Sequence, residues 1–288
     1  MKMNLHNVKA LSLSIVSLLS VGCTAQSMST TSVAQQHINK AYELAGDTFM
    51  RTTAELQCSD DNRAMAFFED KSVPPPTKMF DNLYYVGVST VGAYALQTTE
   101  GIILIDALNN TEEAKNVIEP GLRELGLDPK NIKVIIVTHG HGDHVGAVAA
   151  IKESTGATYA IHEKDLSLLN QDHSQMSRMI PDFRVPPEPD MYVKHDDVIE
   201  VGDVKLRVIE TPGHTQGGVC YYAEGVVFTG DTLFQGSIGR FDFPGGNGQQ
   251  LIQGIMTRLM GLPTDTRVYP GHGPESTIAR EKLSNPFL

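Results

Sequence analysis

The chain has 288 residues, 41% of them hydrophobic, which is enough for one substantial core. Its formal net charge is −11 and it contains no Lys/Arg-rich run. Nucleic acid is excluded as a partner on that ground, because a phosphate-backbone binder needs a basic patch.

Residues 1–25 stand apart from the rest. Lys2 and Lys9 give a positive start, Ala10 to Val21 form an apolar stretch, and Gly22-Cys23-Thr24-Ala25 supplies small residues. That is the layout of a secretory signal, too short to span a membrane, and it predicts export to the periplasm. Two processing points are open. Cleavage after Ala25 releases a soluble protein; cleavage after residue 22 leaves Cys23 to be acylated as in a lipoprotein, although Ser20 stands where such signals usually have Leu. A lipid at Cys23 would then be the only membrane contact.

Residues 26–81 read as a leader and lead-in. A Ser/Thr/Gln-rich tether precedes a short helix over His37 to Met50, and Pro74-Pro75-Pro76 marks an irregular approach. The folded domain is expected over 82–288. Strands are predicted at Leu83–Val88, Ala93–Gln97 and Ile102–Ile105, closed by Asp106, which is equally compatible with a place near a functional site and with a strand-end turn residue and is given no ligand role. Glu112 to Leu125 carries Ala114, Val117, Ile118, Leu122 and Leu125 on one helical face, with Pro120 expected to kink or split it.

The apolar run Val134-Ile135-Ile136-Val137 reads as a buried strand, and His139, His141, Asp143 and His144 follow within six residues. An apolar run of helical character, Val145 to Ile151, comes next. The liganding stretch is therefore a strand-to-helix turn that aims several imidazoles at one point. Imidazoles with carboxylates suit zinc, and iron and manganese accept similar sets. Further on, Ala157–Ile161 is a predicted strand and Lys164–Leu169 a helix. Residues 170–190, with Pro181, Pro186, Pro187 and Pro189, read as a long loop suited to cover a cleft.

The second half repeats the pattern, with strands at Val198–Val201, Lys205–Glu210, Gly218–Tyr222 and Val226–Thr229. A Gly-rich segment from Gly236 to Gly248 leads to a helix near Gln249–Met260 and a strand at Arg267–Tyr269. Cys58 and Cys220 are open to pairing in an oxidising compartment, though Cys220 sits in an apolar strand and reads as a small buried hydrophobe. His37, His162, His173 and His195 read as surface or hydrogen-bonded residues, and Tyr94, Tyr221 and Tyr222 as core or rim packing.

Four motifs in order carry a family resemblance. His139-x-His141-x-Asp143-His144, Thr211-Pro212-Gly213-His214-Thr215, Phe228-Thr229-Gly230-Asp231-Thr232 and Tyr269-Pro270-Gly271-His272-Gly273 resemble the metal motifs of the metallo-β-lactamase superfamily. The resemblance runs from about Asn82 to the C-terminus. It implies an α/β fold, an αββα sandwich of two mixed sheets with helices outside; periodicity alone gives only mixed α and β. It also implies two zinc ions, with His139, His141 and His214 on one, Asp143, His144 and His272 on the other, and Asp231 bridging them. The nucleophile would be a hydroxide held between the metals, its proton oriented by Asp143.

The implied substrate is a small molecule with a cleavable acyl bond, and the motifs pull two ways. Gly230-Asp231-Thr232-Leu233-Phe234 with Gly236 to Arg240 is similar to the glyoxalase II group, which cleaves thioesters such as S-lactoylglutathione. The stretch after His272 is short beside the C-terminal helical extension that many of those enzymes use. Export favours a β-lactam or lactone ring, and residues 73–88 look like the lead-in of one secreted β-lactamase subclass. Asp231 stands where the commonest secreted β-lactamases have Cys or Ser, whereas lactonases keep the Asp. The expectation is an exported dinuclear-zinc hydrolase opening a β-lactam or lactone ring. The alternatives are a glyoxalase II-like thioester hydrolase and a mononuclear-iron persulfide dioxygenase.

Overall fold

The computed structural model describes residues 72–169 and 180–288. Its first sheet has seven strands in chain order: β1 (Thr77–Phe80), β2 (Leu83–Tyr85), β3 (Tyr94–Thr98), β4 (Gly101–Ile105), β5 (Ile132–Ile136), β6 (Thr158–Ile161) and β7 (Met191–Tyr192). β1 to β4 pair antiparallel, and β4 to β7 run parallel. The chain then enters a second sheet through β8 (Val198–Val201), β9 (Val204–Glu210), β10 (Val219–Ala223) and β11 (Val226–Gly230). A small hairpin, β12 (Leu233–Phe234) and β13 (Ser237–Ile238), precedes β14 (Arg267–Pro270) and β15 (Ser276–Thr277). The second sheet's order is β15-β14-β11-β10-β9-β8.

Strand alternation explains the layering. Ile103 and Ile105 of β4 join Ile136, Leu206, Val208, Tyr221 and Phe228 in the core between the sheets. Their neighbours Ile102 and Leu104 point the other way, onto Ile118, Leu122, Val148 and Ile151 of the outer helices. On the far side Val227 and Val268 pack against Leu251, Ile255 and Leu259. Strands apolar on both faces need cover on both, and helices provide it. The result is the αββα sandwich.

Several elements differ in detail from the sequence reading. The sheet begins at Thr77, inside the stretch read as lead-in, because Thr77 to Phe80 pairs with β2. The strand expected over Leu83–Val88 ends at Tyr85, after which a turn held by Val86 N–H to the Ala93 carbonyl (2.9 Å) brings Thr90 toward the ligand loops. Pro120 does not split its helix. α-Helical Thr111–Glu113 passes through a π-helical turn, Ala114–Ile118, into Glu119–Glu124. The wider turn, in which Glu119 N–H bonds the Ala114 carbonyl, accommodates the proline ring and its missing donor.

A second π-helical turn, Ile255–Leu259, continues helix Gly248–Gly254. The helix expected from Lys164 opens with a 3-10 turn at Glu163–Asp165. The sequence did not suggest β7, β12, β13 and β15, which have two residues each and no readable period, or the helix Ile278–Ser284. The signal segment, the leader up to residue 71, Cys58, and residues 170–179 of the long loop lie outside the described residues. Cys220 is buried and has no disulfide partner among the described residues. No helix among the described residues is long and apolar enough to cross a membrane.

Candidate metal centre

The four ligand-bearing loops leave the C-terminal ends of β5, β9, β11 and β14. In the second sheet these ends share one edge, since β9 and β11 both run antiparallel to β10 and β14 runs parallel to β11. Residues that are 133 positions apart, His139 and His272, thereby reach one site. All seven residues singled out by the motifs come together there.

Three of them face one another as a triangle of ring nitrogens. His139 Nε2 lies 3.0 Å from His141 Nδ1, His141 Nδ1 lies 2.9 Å from His214 Nε2, and the third side is 3.2 Å. A neutral imidazole has one N–H, and His214 uses its own at Nδ1, donating to the Arg240 carbonyl at 2.6 Å. Its Nε2 lone pair therefore points at the other two rings. Thr138 Oγ1 contacts His139 Nδ1 at 3.1 Å in the same manner. Donors about 2.0–2.1 Å from a tetrahedral zinc stand roughly 3.3 Å apart, so this triangle fits a cation with little adjustment.

The other half combines His144, His272, Asp143 and Asp231. His144 is fully buried, and its Nδ1 donates to Asp106 Oδ2 at 2.9 Å. Its Nε2 faces Asp231 Oδ1 at 3.4 Å and Asp143 Oδ2 at 3.6 Å. Among the described residues, neither His144 Nε2 nor Asp231 Oδ1 has a hydrogen-bond partner. Two orphaned polar atoms buried against each other are costly unless a cation joins them, which is the strongest local sign that the donors fit metal. His272 donates from Nδ1 to the Thr90 carbonyl and presents Nε2 to Asp143 Oδ2 (3.4 Å) and Asp231 Oδ2 (3.3 Å). Asp231 Oδ2 is also 3.4 Å from His214 Nε2, so this carboxylate stands between the halves.

The electrostatics divide along the same line. Burial, reinforced by the neighbouring imidazoles, drives His139 well below the usual histidine range, His141 down to about 3, and His214 downward as well. Burial opposes the charged forms of Asp143 and Asp231 too, but the surrounding histidines outweigh it and hold both below the usual carboxylate range. For His144 burial is likewise outweighed, and Asp143, Asp106 and Asp231 lift it to about 9. His272 is raised well above its ordinary value, with Asp231 the largest opponent of burial.

The sequence left Asp106 open between a place near the site and a strand-end turn, and did not reveal its part in holding the donors. Asp106 is not among the converging donors, yet it organises them. Its Oδ1 accepts from Thr138 N–H at 2.7 Å, and its Oδ2 accepts from Thr138 Oγ1 (3.0 Å) as well as from His144. Its backbone is left-handed (φ 61°), a strained state for a non-glycine residue that these bonds hold in place. The readable signal was a carboxylate closing a strand buried on both faces. Gly230 supports the same corner at φ 46°, and a Cβ there would fall 2.2 Å from Thr138 Oγ1. The tyrosines are committed elsewhere, Tyr94 to the Pro270 carbonyl and Tyr221 to the Val137 carbonyl, each at 2.8 Å. His162 and the backbone of His195 bond Glu210 away from the centre, and His37 and His173 lie outside the described residues. At the mouth, Phe243 is 40% exposed, with its ring edge-on to His141 at 5.4 Å and Arg240 stacked over it at 4.0 Å.

Comparison with known proteins agrees with this geometry. A family model described as the metallo-beta-lactamase superfamily matches residues 86–272. A probable metallo-hydrolase of Bacillus subtilis, YqgX, is 34% identical over 70% of this chain and 94% of its own. The hydroxyacylglutathione hydrolase GloC of Haemophilus influenzae is 38% identical over 61% of this chain and 83% of its own. Among solved structures, BLEG-1, a B3 metallo-beta-lactamase, superposes with a TM-score of 0.62 at 31% identity, covering 72% of this chain and 99% of that one. TTHA1623, solved in a di-iron-bound form, gives 0.61 at 34% identity, covering 71% and 98%.

Proposed function

This chain belongs to the metallo-beta-lactamase superfamily, and on that premise we propose that it is a two-metal hydrolase that cleaves an acyl bond in a small molecule. The observation that carries the reading is the place of Asp231, whose two oxygens reach the three-histidine group and the Asp143–His144–His272 group at once. His139, His141 and His214 would hold one ion, Asp143, His144 and His272 the other, and Asp231 both. Zinc suits this donor set best; iron and manganese are the alternatives, and the di-iron form of TTHA1623 supports keeping them in view. When bound, such a pair supplies Lewis acidity and lowers the pKa of water from 15.7 to about 7.

The protein's own side chains do the rest. The Arg240 and Thr90 carbonyls and the Asp106 carboxylate fix which nitrogen of His214, His272 and His144 faces inward. Asp143, at 29% side-chain exposure the most open carboxylate of the set, is placed to hold the proton of an attacking water. Phe243 gives the mouth an apolar wall on the His141 side.

A thioester is the better supported acyl bond, because the Haemophilus relative that acts on hydroxyacylglutathione is 38% identical. Ring opening of a β-lactam or lactone is the second reading. The likeness to BLEG-1 and the signal-like layout of residues 1–25 favour it. That layout also supports a periplasmic protein whose mature form starts at Cys23 or Gln26. Mass spectrometry of the native protein checks the start and any lipid, and an intact Met1 on cytosolic protein would overturn export. The function is tested by elemental analysis together with a panel of S-lactoylglutathione, an acyl-homoserine lactone, a cephalosporin and a penicillin. Two metals per chain and turnover of at least one acyl substrate are expected. A single iron per chain with no hydrolysis would defeat the reading in favour of a mononuclear dioxygenase.

A further inference from the structure

The three-histidine half is assembled from two loops far apart in the chain, His139 to His141 after β5 and His214 after β9. The bonds to Thr138 and Arg240 turn individual rings, but they do not set the spacing between the loops. Asp165 lies between them, 1% exposed, at the end of the 3-10 turn that follows β6. Its Oδ2 accepts from Gly140 N–H at 2.8 Å and from Thr215 Oγ1 at 2.8 Å, and its Oδ1 accepts from Gly217 N–H at 2.6 Å. Gly140 separates the two histidines of the first loop, and Thr215 follows His214 in the second.

Burial pushes the Asp165 carboxyl up, the Thr215, Gly140 and Gly217 donors pull against it, and all three bonds arrive at its two oxygens as acceptors, so three on one buried group form a clamp. The fit is also close. A Cβ on Gly140 would stand 3.1 Å from Asp165 Cβ, and one on Gly217 would stand 2.6 Å from Asp165 Cγ, so both loops approach the carboxylate as bare backbone.

We propose that Asp165 is a positioning residue that sets the distance between the His139–His141 loop and the His214 loop, and with it the metal affinity of the three-histidine half alone. The proposal rests on the two-metal reading above. The other half has its own supports in Asp106 and the Thr90 carbonyl and does not touch this clamp.

The test measures both stepwise zinc affinities of the full protein by competition with a chromophoric chelator. The cobalt-substituted form then assigns each site by the shifted imidazole N–H resonances of His214, which bonds Arg240, and His144, which bonds Asp106. Asp165→Asn should weaken one ion by about 10–100-fold, the range for lost outer supports of a metal site, and move the His214 signal while leaving His144 in place. Thr215→Val removes one of the three donors and should shift the same signal by less. If Asp165→Asn does not fold, the valine variant decides: unchanged affinity and an unmoved His214 signal overturn the proposal. Unchanged affinities in Asp165→Asn, or a loss shared equally by both ions, overturn it as well. A wild type that binds fewer than two ions would sink the two-metal reading first, and this inference with it, before any variant is compared.

Discussion

The two halves of the metal centre share Asp231 and differ in how they are kept ready. In the three-histidine half burial strips protons from the rings, so His141 falls to about 3 and all three lone pairs are free at neutral pH. In the carboxylate half Asp143, Asp106 and Asp231 surround His144 and lift it to about 9, so a proton holds the position a cation would take. The lesson is that equal ligand counts do not make equal sites. One half is organised by desolvation of neutral donors, the other by charge balance.

The sharpest way to break the comparison is through the shared residue. Asp231→Ser removes the carboxylate that reaches both halves, and kcat on the best substrate should fall by about 10²-fold or more, roughly 2.7 kcal/mol of transition-state stabilisation. Metal content measured on the same preparation should drop too. Unchanged rates and unchanged metal would reduce Asp231 to a structural residue.

A smaller and unequal effect is expected from Asp106→Asn, which weakens the support of His144 Nδ1 directly and of His139 only through Thr138. Metal affinity of the carboxylate half should fall by about 10–100-fold and that of the three-histidine half by less, since Asp106 reaches His139 only through Thr138, as chelator competition would report. Equal loss in both halves would erase the distinction drawn between them.

The pH dependence sharpens the contrast further. The His144 pKa lies above neutrality, so a metal must displace its proton there, and affinity of that half should rise about tenfold per pH unit for each proton displaced, levelling off near pH 9. The three-histidine half has lowered pKa values, so its rings should add no such slope between pH 6 and about 7, below the range in which a bound water would itself ionise. Calorimetric titrations in buffers of different ionisation enthalpy count the released protons. Proton release below about pH 7 on filling the three-histidine half would contradict the assignment.

The smallest effect is expected outside the centre. Tyr221→Phe loses the bond to the Val137 carbonyl just ahead of the ligand loop, at a cost of about 0.5–1.5 kcal/mol in chemical denaturation. Metal stoichiometry should not change. A lost metal ion would mean that this tyrosine positions the loop as well as packing beneath it.

Much of the site was legible because its chemistry is written locally. His139, His141, Asp143 and His144 fall in one turn whose flanks, an apolar strand and an apolar helical run, announce themselves by period. Elements of two residues such as β7 and β15 carry no period, and their pairing partners lie elsewhere in the chain. The π-helical turn ahead of Pro120 was unreadable for another reason: the sequence marks the missing donor, but packing decides whether the helix breaks or widens.

The sequence by itself determined which residues bring donor atoms and which strands carry them to a loop, since residue type and hydrophobic period belong to each segment alone. Only the tertiary structure decided how those donors are held. Asp106 serves Thr138 and His144 across 32 and 38 residues, and Asp165 serves Gly140, Thr215 and Gly217 across 25, 50 and 52. Asp106 at least closes a strand buried on both faces, whereas Asp165 carries no mark in the sequence. They act because strand pairing within the first sheet for Asp106, and the packing of the two sheets for Asp165, bring distant donors to a buried oxygen, where a hydrogen bond left unmade is expensive.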